Sequence, residues 1–107
     1  MREVSVEMPV VKRAEAAGFF CRKVQWVGRK HAPDRLFSRD DRGEVWIEFK
    51  RPGEDARSGQ AREHKRMRAA GMEVHVVDRV EDGLRILGLL PSANGGPTLS
   101  DIDRMIR

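Results

Sequence analysis

Val45-Trp46-Ile47-Glu48-Phe49-Lys50 is the stretch on which the reading of the fold turns. It is short, apolar and rich in β-branched and aromatic residues, which marks a strand. Strand side chains alternate between faces, so Glu48 and Lys50 point the same way. A carboxylate and an ammonium are thus aimed together out of a segment that otherwise reads as buried. Upstream, Asp40-Asp41-Arg42-Gly43 is a turn by composition. Asp34 to Arg39, with apolar Leu36 and Phe37, is the strand before it. The two strands form a hairpin. Asp34 and Lys50 both lie at the end away from the turn, so Pro33-Asp34 meets Glu48-Phe49-Lys50 side by side. Two acids and a lysine in that arrangement suit a hard divalent cation with a positive group beside it, the chemistry of phosphodiester cleavage. A Glu-x-Lys pair alone would be a surface contact worth about 0–1 kcal/mol. The upstream Pro-Asp and the apolar flanks carry the functional reading.

The rest of the chain frames this hairpin. Val6, Val10, Val11, Ala14 and Ala17 fall on one helical face, with Gly18 as a stop. Proline is tolerated in a first helical turn, so Pro9 predicts a helix beginning near Met8, with Glu7 at its mouth. Phe19 to Val27 reads as a strand carrying Cys21 and Trp26, and Gly28 to Pro33 as a loop. Arg51 to Gly59 is a charged loop and Gln60 to Ala70 a helix ended by Gly71. Met72 to Asp78 reads as a fourth strand and Glu81 to Leu90 as a short helix. The order is α-β-β-β-α-β-α. This is an α/β fold, a mixed β-sheet flanked by helices, with a right-handed crossover between the last two strands. Residues 1–90 read as one domain. Residues 91–107 read as a linker and a short helix carrying Ile102 and Ile106.

Composition narrows the function classes. A chain of 107 residues suits one domain. Lys and Arg outnumber Asp and Glu by 21 to 17, giving a net charge of +4 and a pI near 9.8. That balance favours an anionic partner such as nucleic acid. A single Cys21 excludes an internal disulfide and fits a reducing compartment. No apolar stretch is long enough to span a bilayer, and no signal-peptide core opens the chain. The expectation is a soluble, cytoplasmic protein with no membrane partner.

Pro33-Asp34 followed by Glu48-Phe49-Lys50 resembles the PD-(D/E)xK nuclease superfamily, whose core is restriction-endonuclease-like. The finer resemblance, over roughly residues 3 to 80, is to the virus-type replication-repair nuclease (VRR-NUC) family in its small stand-alone form. It draws in Glu7, Lys12-Arg13, Gly18, Cys21-Arg22-Lys23, Gly28-Arg29, Pro52-Gly53, Gln60, Arg62-Glu63-His64 and Gly71. The resemblance implies that Asp34 and Glu48 ligate Mg²⁺ or Mn²⁺ with help from the Phe49 backbone carbonyl. It implies that Lys50 is the catalytic lysine. Glu7 would complete the metal shell, directly or through water, and Gln60 would buttress the site or contact phosphate. The activity implied is a metal-dependent endodeoxyribonuclease on branched DNA, with stand-alone members resolving Holliday junctions as homodimers. Two other readings stay open: a flap or nicking nuclease of phage or mobile-element origin, and a catalytically silent nucleic-acid-binding module.

Arg29, Lys30, Arg51, Arg57 and Arg62 surround the expected cleft in sequence and are the candidates for DNA contact. His31 is a candidate phosphate contact or general acid, set against the commoner reading of an exposed loop histidine. His64, one turn after Gln60, reads chiefly as a packing residue, and His75 as facing solvent or an interface. Trp26 and Trp46, both placed in strands, read as core or interface. No Cys/His spacing suggests zinc. Leu87, Leu89 and Leu90 serve either the core or a dimer interface.

Overall fold

The computed structural model describes residues 4–91. The elements are α1 (Val4–Ala16), β1 (Phe20–Lys23), β2 (Arg35–Arg39), β3 (Gly43–Phe49), α2 (Ser58–Ala69), β4 (Val74–Val77) and α3 (Val80–Ile86). The strands form one sheet in the order β1-β2-β3-β4. β1/β2 and β2/β3 are antiparallel, and β3/β4 is parallel. A parallel pair needs a crossover, which α2 supplies. The expected architecture and element order are therefore those observed. The expected linker and terminal helix lie, apart from Pro91, outside the described residues, as do Ile102 and Ile106.

Burial follows strand parity. Val45, Ile47 and Phe49 of β3 join Phe37, Cys21 and Val77 in a core completed by Val6, Val10, Val11 and Ala14 of α1 and by Leu84 and Leu87. Trp46 faces the other way, with Leu36, Val74 and Ala32, against Met67 of α2. Because β3 is covered on both faces, it reads as a continuous apolar run. Glu44, Glu48 and Lys50 are the charged residues of the α2-side pattern, with Glu44 at the exposed turn end. Leu87 is buried in this core, and Leu89 and Leu90 pack partly against it. Cys21 is buried, which pushes its thiol up, with a further push from Glu15. A structural role follows. The β2–β3 turn closes with Arg42 N–H donating to the Arg39 carbonyl at 2.9 Å. Gly43 then takes φ +82°, which a side chain would strain.

Several boundaries differ from the sequence reading: α2 begins at Ser58 rather than Gln60, β4 spans only Val74–Val77, and α3 ends at Ile86 rather than Leu90. Two further differences have consequences. First, α1 begins at Val4 and Pro9 lies inside it. Proline removes one backbone hydrogen bond and crowds the preceding turn, a cost of about 3 kcal/mol in a helix interior. Val6 and Val10 straddle Pro9 and are 2% and 0% exposed. Burying such side chains is worth about 1.5–3 kcal/mol each, so the packed face carries the helix through the proline. Second, β1 stops at Lys23, and Trp26 lies in the loop beyond it.

At the far side of the sheet, Arg42 clamps the hairpin turn to β4 and α3. Its guanidinium donates to both carboxylate oxygens of Glu73, through Nη1 at 2.8 Å and through Nη2, and to the Ile86 carbonyl at 3.0 Å. His75 Nε2 lies 2.7 Å from Glu73 Oε2, so His75, whose side chain is 34% exposed, is paired while still open to solvent. The Arg42 hydrogen bonds hold the Glu73 carboxyl down to about 2, against opposition from burial. A depressed carboxyl contributes stability above its unfolded value, and that contribution is lost as pH falls toward its folded value. Glu73 is about a third exposed, so solvent screening leaves the clamp worth on the order of 1 kcal/mol. Arg42→Ala is expected to lower the melting temperature by roughly 4–8 °C at pH 7. The deficit should shrink as pH falls from 4 toward 2. Melting curves across that range check it, and a deficit independent of pH would contradict this account.

Candidate functional site

The register places the two acids together. Arg35 pairs with Ile47, so one step further out Asp34 falls alongside Glu48, on the sheet face covered by α2. Asp34 is held in place by its neighbours. Its carbonyl accepts from the Val24 N–H at 2.7 Å, continuing the β1/β2 ladder. The Trp26 indole N–H donates to the Pro33 carbonyl at 2.7 Å. Trp26 in turn packs on Trp46, with ring centroids 5.0 Å apart. Pro33 is fully buried. Trp26 therefore braces the Pro33-Asp34 corner, a role its expected strand position concealed.

Asp34 and Glu48 open onto a cleft of about 900 Å³ between the 24–34 loop and α2. Gln60 lines it as expected. Its side-chain oxygen accepts from the Arg57 N–H at 3.1 Å, half of a capping box at the α2 N-terminus. That bond fixes the side chain and leaves its amide nitrogen as the donor suited to phosphate. Arg29 and Lys30 also line the cleft. Arg51, Arg57 and Arg62 are exposed but stand outside its lining. Arg62 is two residues from Gln60, hence on another helix face.

Three charged lining residues escaped the sequence reading of the site: Lys23, Glu63 and Arg66. Glu63 and Arg66 follow Gln60 at three-residue steps on one face of α2 and pair at 2.8 Å. That periodicity was available in the sequence. Lys23 ends β1, and its Nζ lies 3.8 Å from Asp34 Oδ2 and 3.9 Å from Glu7 Oε2.

Glu7 is buried, and its carboxylate accepts from Arg35 Nε. It lies on the α1 side of the sheet, outside the cleft lining, and reaches the vicinity of Asp34 only through Lys23. Lys50 stands just past β3, and its N–H donates to the Val77 carbonyl at 2.8 Å. Lys50 is buried and is not among the residues that line the cleft. By parity it shares the Glu48 face, where His64 of α2 is 1% exposed with Nε2 lacking a hydrogen-bond partner. Burial pushes the His64 pKa down, and the Arg68 and Lys50 charges push it further. His64 is a neutral packing residue beside Lys50, as its helical position suggested.

His31 reaches the cleft from the loop and docks on α2. A Cβ placed on Gly59 would meet three ring atoms of His31 at 2.7, 2.8 and 2.9 Å. Only a glycine allows that approach. Gly59→Ala is expected to change the melting temperature little, because alanine's helix preference of about 1 kcal/mol offsets the displaced ring. It should push the basic loop off α2 and raise KM for nucleic acid several-fold. His31→Ala in the same chain should restore KM toward the value of His31→Ala alone. Steady-state kinetics on the three variants check this, and an unchanged KM in Gly59→Ala would contradict it.

Among the described residues no group of three or more His, Cys, Asp or Glu is gathered tightly enough to hold a metal alone. What the site offers is two adjacent carboxylates, Asp34 and Glu48, beside the Phe49 carbonyl at the strand end. Mg²⁺ commonly takes one or two carboxylates and completes its shell with water and substrate phosphate. The donor set fits that ion and does not fit zinc.

No family model matches the chain. A curated protein of Acyrthosiphon pisum secondary endosymbiont phage 1, "Putative nuclease p44", is 33% identical over 94 residues, 88% of this chain and 97% of that protein. A solved structure described as a VRR_NUC domain superposes with a TM-score of 0.70 at 32% identity, covering 79% of this chain and 92% of that one. The chain belongs to the VRR-NUC family. Membership supports a nuclease. In this chain the Asp34 corner and Glu48 line one cleft together with Gln60, Glu63 and Arg66 of the α2 crossover. No helix among the described residues is long and apolar enough to cross a membrane.

Proposed function

We propose that this chain is a metal-dependent, structure-specific DNA endonuclease that resolves Holliday junctions as a homodimer, with its nuclease domain in residues 1–90. The observation that supports it most is the side-by-side placement of Asp34 and Glu48 in a cleft whose other walls carry Arg29, Lys30, Lys23 and Arg66. Asp34, Glu48 and the Phe49 carbonyl would hold Mg²⁺ or Mn²⁺, which when bound offsets phosphate charge and lowers the pKa of water. Lys50, on the Glu48 face, would orient the attacking water and stabilise charge developing on the phosphate. Arg29, Lys30 and Arg66 would grip phosphates flanking the scissile bond. Arg51, Arg57 and Arg62 would follow the backbone outside the cleft. Gln60 would donate its amide N–H to a phosphate oxygen. Glu7 would act from behind, through Lys23, whose ammonium lies between it and Asp34.

A dimer follows from the chemistry proposed. One small domain offers one centre, and a four-way junction needs two symmetric cuts, which a twofold pair provides. The test is Mg²⁺- or Mn²⁺-dependent cleavage of a synthetic four-way junction, a flap and a linear duplex. Paired symmetric nicks confined to the junction support the proposal. Equal cutting of the flap or duplex would replace it with a flap or nicking nuclease. Binding without any metal-dependent cutting would leave only a nucleic-acid-binding module.

A further inference from the structure

Lys23 occupies an unusual position: one ammonium shared by two carboxylates that come from different layers. Glu7 belongs to α1 on one side of the sheet, and Asp34 to the corner that opens on the other. Lys23 Nζ lies 3.9 Å from the first and 3.8 Å from the second. Both distances exceed a charge-assisted hydrogen bond, which runs near 2.7–2.9 Å. They describe a cation balancing two charges without being locked to either. The Lys23 side chain is 62% exposed and lines the cleft, so it has room to leave. Arg35, by contrast, is bonded directly to Glu7 and nearly buried, so Glu7 keeps a partner when Lys23 departs.

We propose that Lys23 is a built-in counter-cation of this site. It offsets the Glu7 and Asp34 charges while the metal is absent, and it competes with the divalent ion for Asp34. Metal binding then releases the ammonium into the cleft, next to Arg29, Lys30 and Arg66, where incoming phosphates lie. The proposal rests on Asp34 being a metal ligand, as argued above. Like charges left close together disfavour each other, and an exposed ion pair costs little to break. The exchange of one cation for another is therefore energetically shallow, and its sign is set by competition. Removing the lysine charge must leave Asp34 more available to a metal, even though it removes nothing that a metal would touch.

The experiment is calorimetric titration of the full chain with Mn²⁺ alone, without DNA, for the unsubstituted protein, Lys23→Gln and Asp34→Asn. Lys23 is exposed, so Lys23→Gln is expected to fold, and circular dichroism verifies that. The expected result is Mn²⁺ binding roughly 3–10-fold tighter in Lys23→Gln and several-fold weaker in Asp34→Asn. Lys23→Arg, which keeps the charge, should stay within about twofold of the unsubstituted protein. If Asp34→Asn weakens binding while Lys23→Gln binds Mn²⁺ equally or more weakly, the counter-cation role is wrong and the metal-site reading survives. If Asp34→Asn has no effect on Mn²⁺ binding, or the unsubstituted protein binds none, the metal-site reading and this inference fail together.

Discussion

Glu48→Gln and Lys50→Ala are each expected to reduce metal-dependent cleavage by roughly 10³-fold, while DNA binding in Ca²⁺ stays within a few-fold. The reasoning differs for the two. Glutamine keeps the size of Glu48 but removes the charge that a hard cation requires. The loss is then in the chemical step rather than in packing. Lys50 is the less obvious member, because it is buried at 9% exposure and stands outside the cleft lining. Its charge would act at short range in a water-poor setting, where a positioned positive group contributes about 10²–10³ in rate. A second readout separates a misplaced lysine from an inactive one. Burial, then the Arg68 charge, then the Lys50 charge depress the His64 pKa. Lys50→Ala should therefore let His64 titrate at higher pH, visible in the histidine ring proton shifts by NMR. Loss of activity together with that shift places Lys50 where the structure has it. Residual cleavage within tenfold of the unsubstituted protein would remove Lys50 from the chemistry.

The hairpin and its two motifs were legible because they are local. Turn composition at 40–43 fixes which residues of β2 and β3 face each other, and alternation then sends Asp34 and Glu48 to one face. The observed register does the same. What was not legible depends on distant packing. Nothing local announces that α1 runs through Pro9. The helix survives there because Val6 and Val10 are sealed against the sheet and α3. Nor does sequence reveal that Trp26 leaves the strand to hold the Pro33 carbonyl, since that bond spans a loop. The basic residues show the same limit in reverse. Arg51, Arg57 and Arg62 are near the motifs along the chain yet stand outside the cleft lining. Helix periodicity through Gln60, Glu63 and Arg66 was the better guide to which charges enter the cleft.

Arg35→Ala should be among the most destabilising single substitutions outside the apolar core, at about 3 kcal/mol. Arg35 and Glu7 are both nearly buried, with side chains 13% and 10% exposed, and they join α1 to β2 across the first core. Removing one member strands a buried carboxylate, and breaking such a pair costs about 3–5 kcal/mol. Lys23, 3.9 Å from the same carboxylate, offsets part of this, which sets the expectation at the lower end. Removing both charges in Arg35→Met with Glu7→Leu should cost much less than the two single changes added together. Denaturant unfolding of the single and double variants measures that coupling, and additive losses would mean the pair contributes nothing as a pair. The same cycle bears on activity. If Glu7 serves the centre from behind, through the Lys23 ammonium that it shares with Asp34, Arg35→Ala should lower kcat tenfold or more at a temperature where the variant remains folded, with KM nearly unchanged. If Glu7 matters only to the fold, kcat per folded molecule should not move.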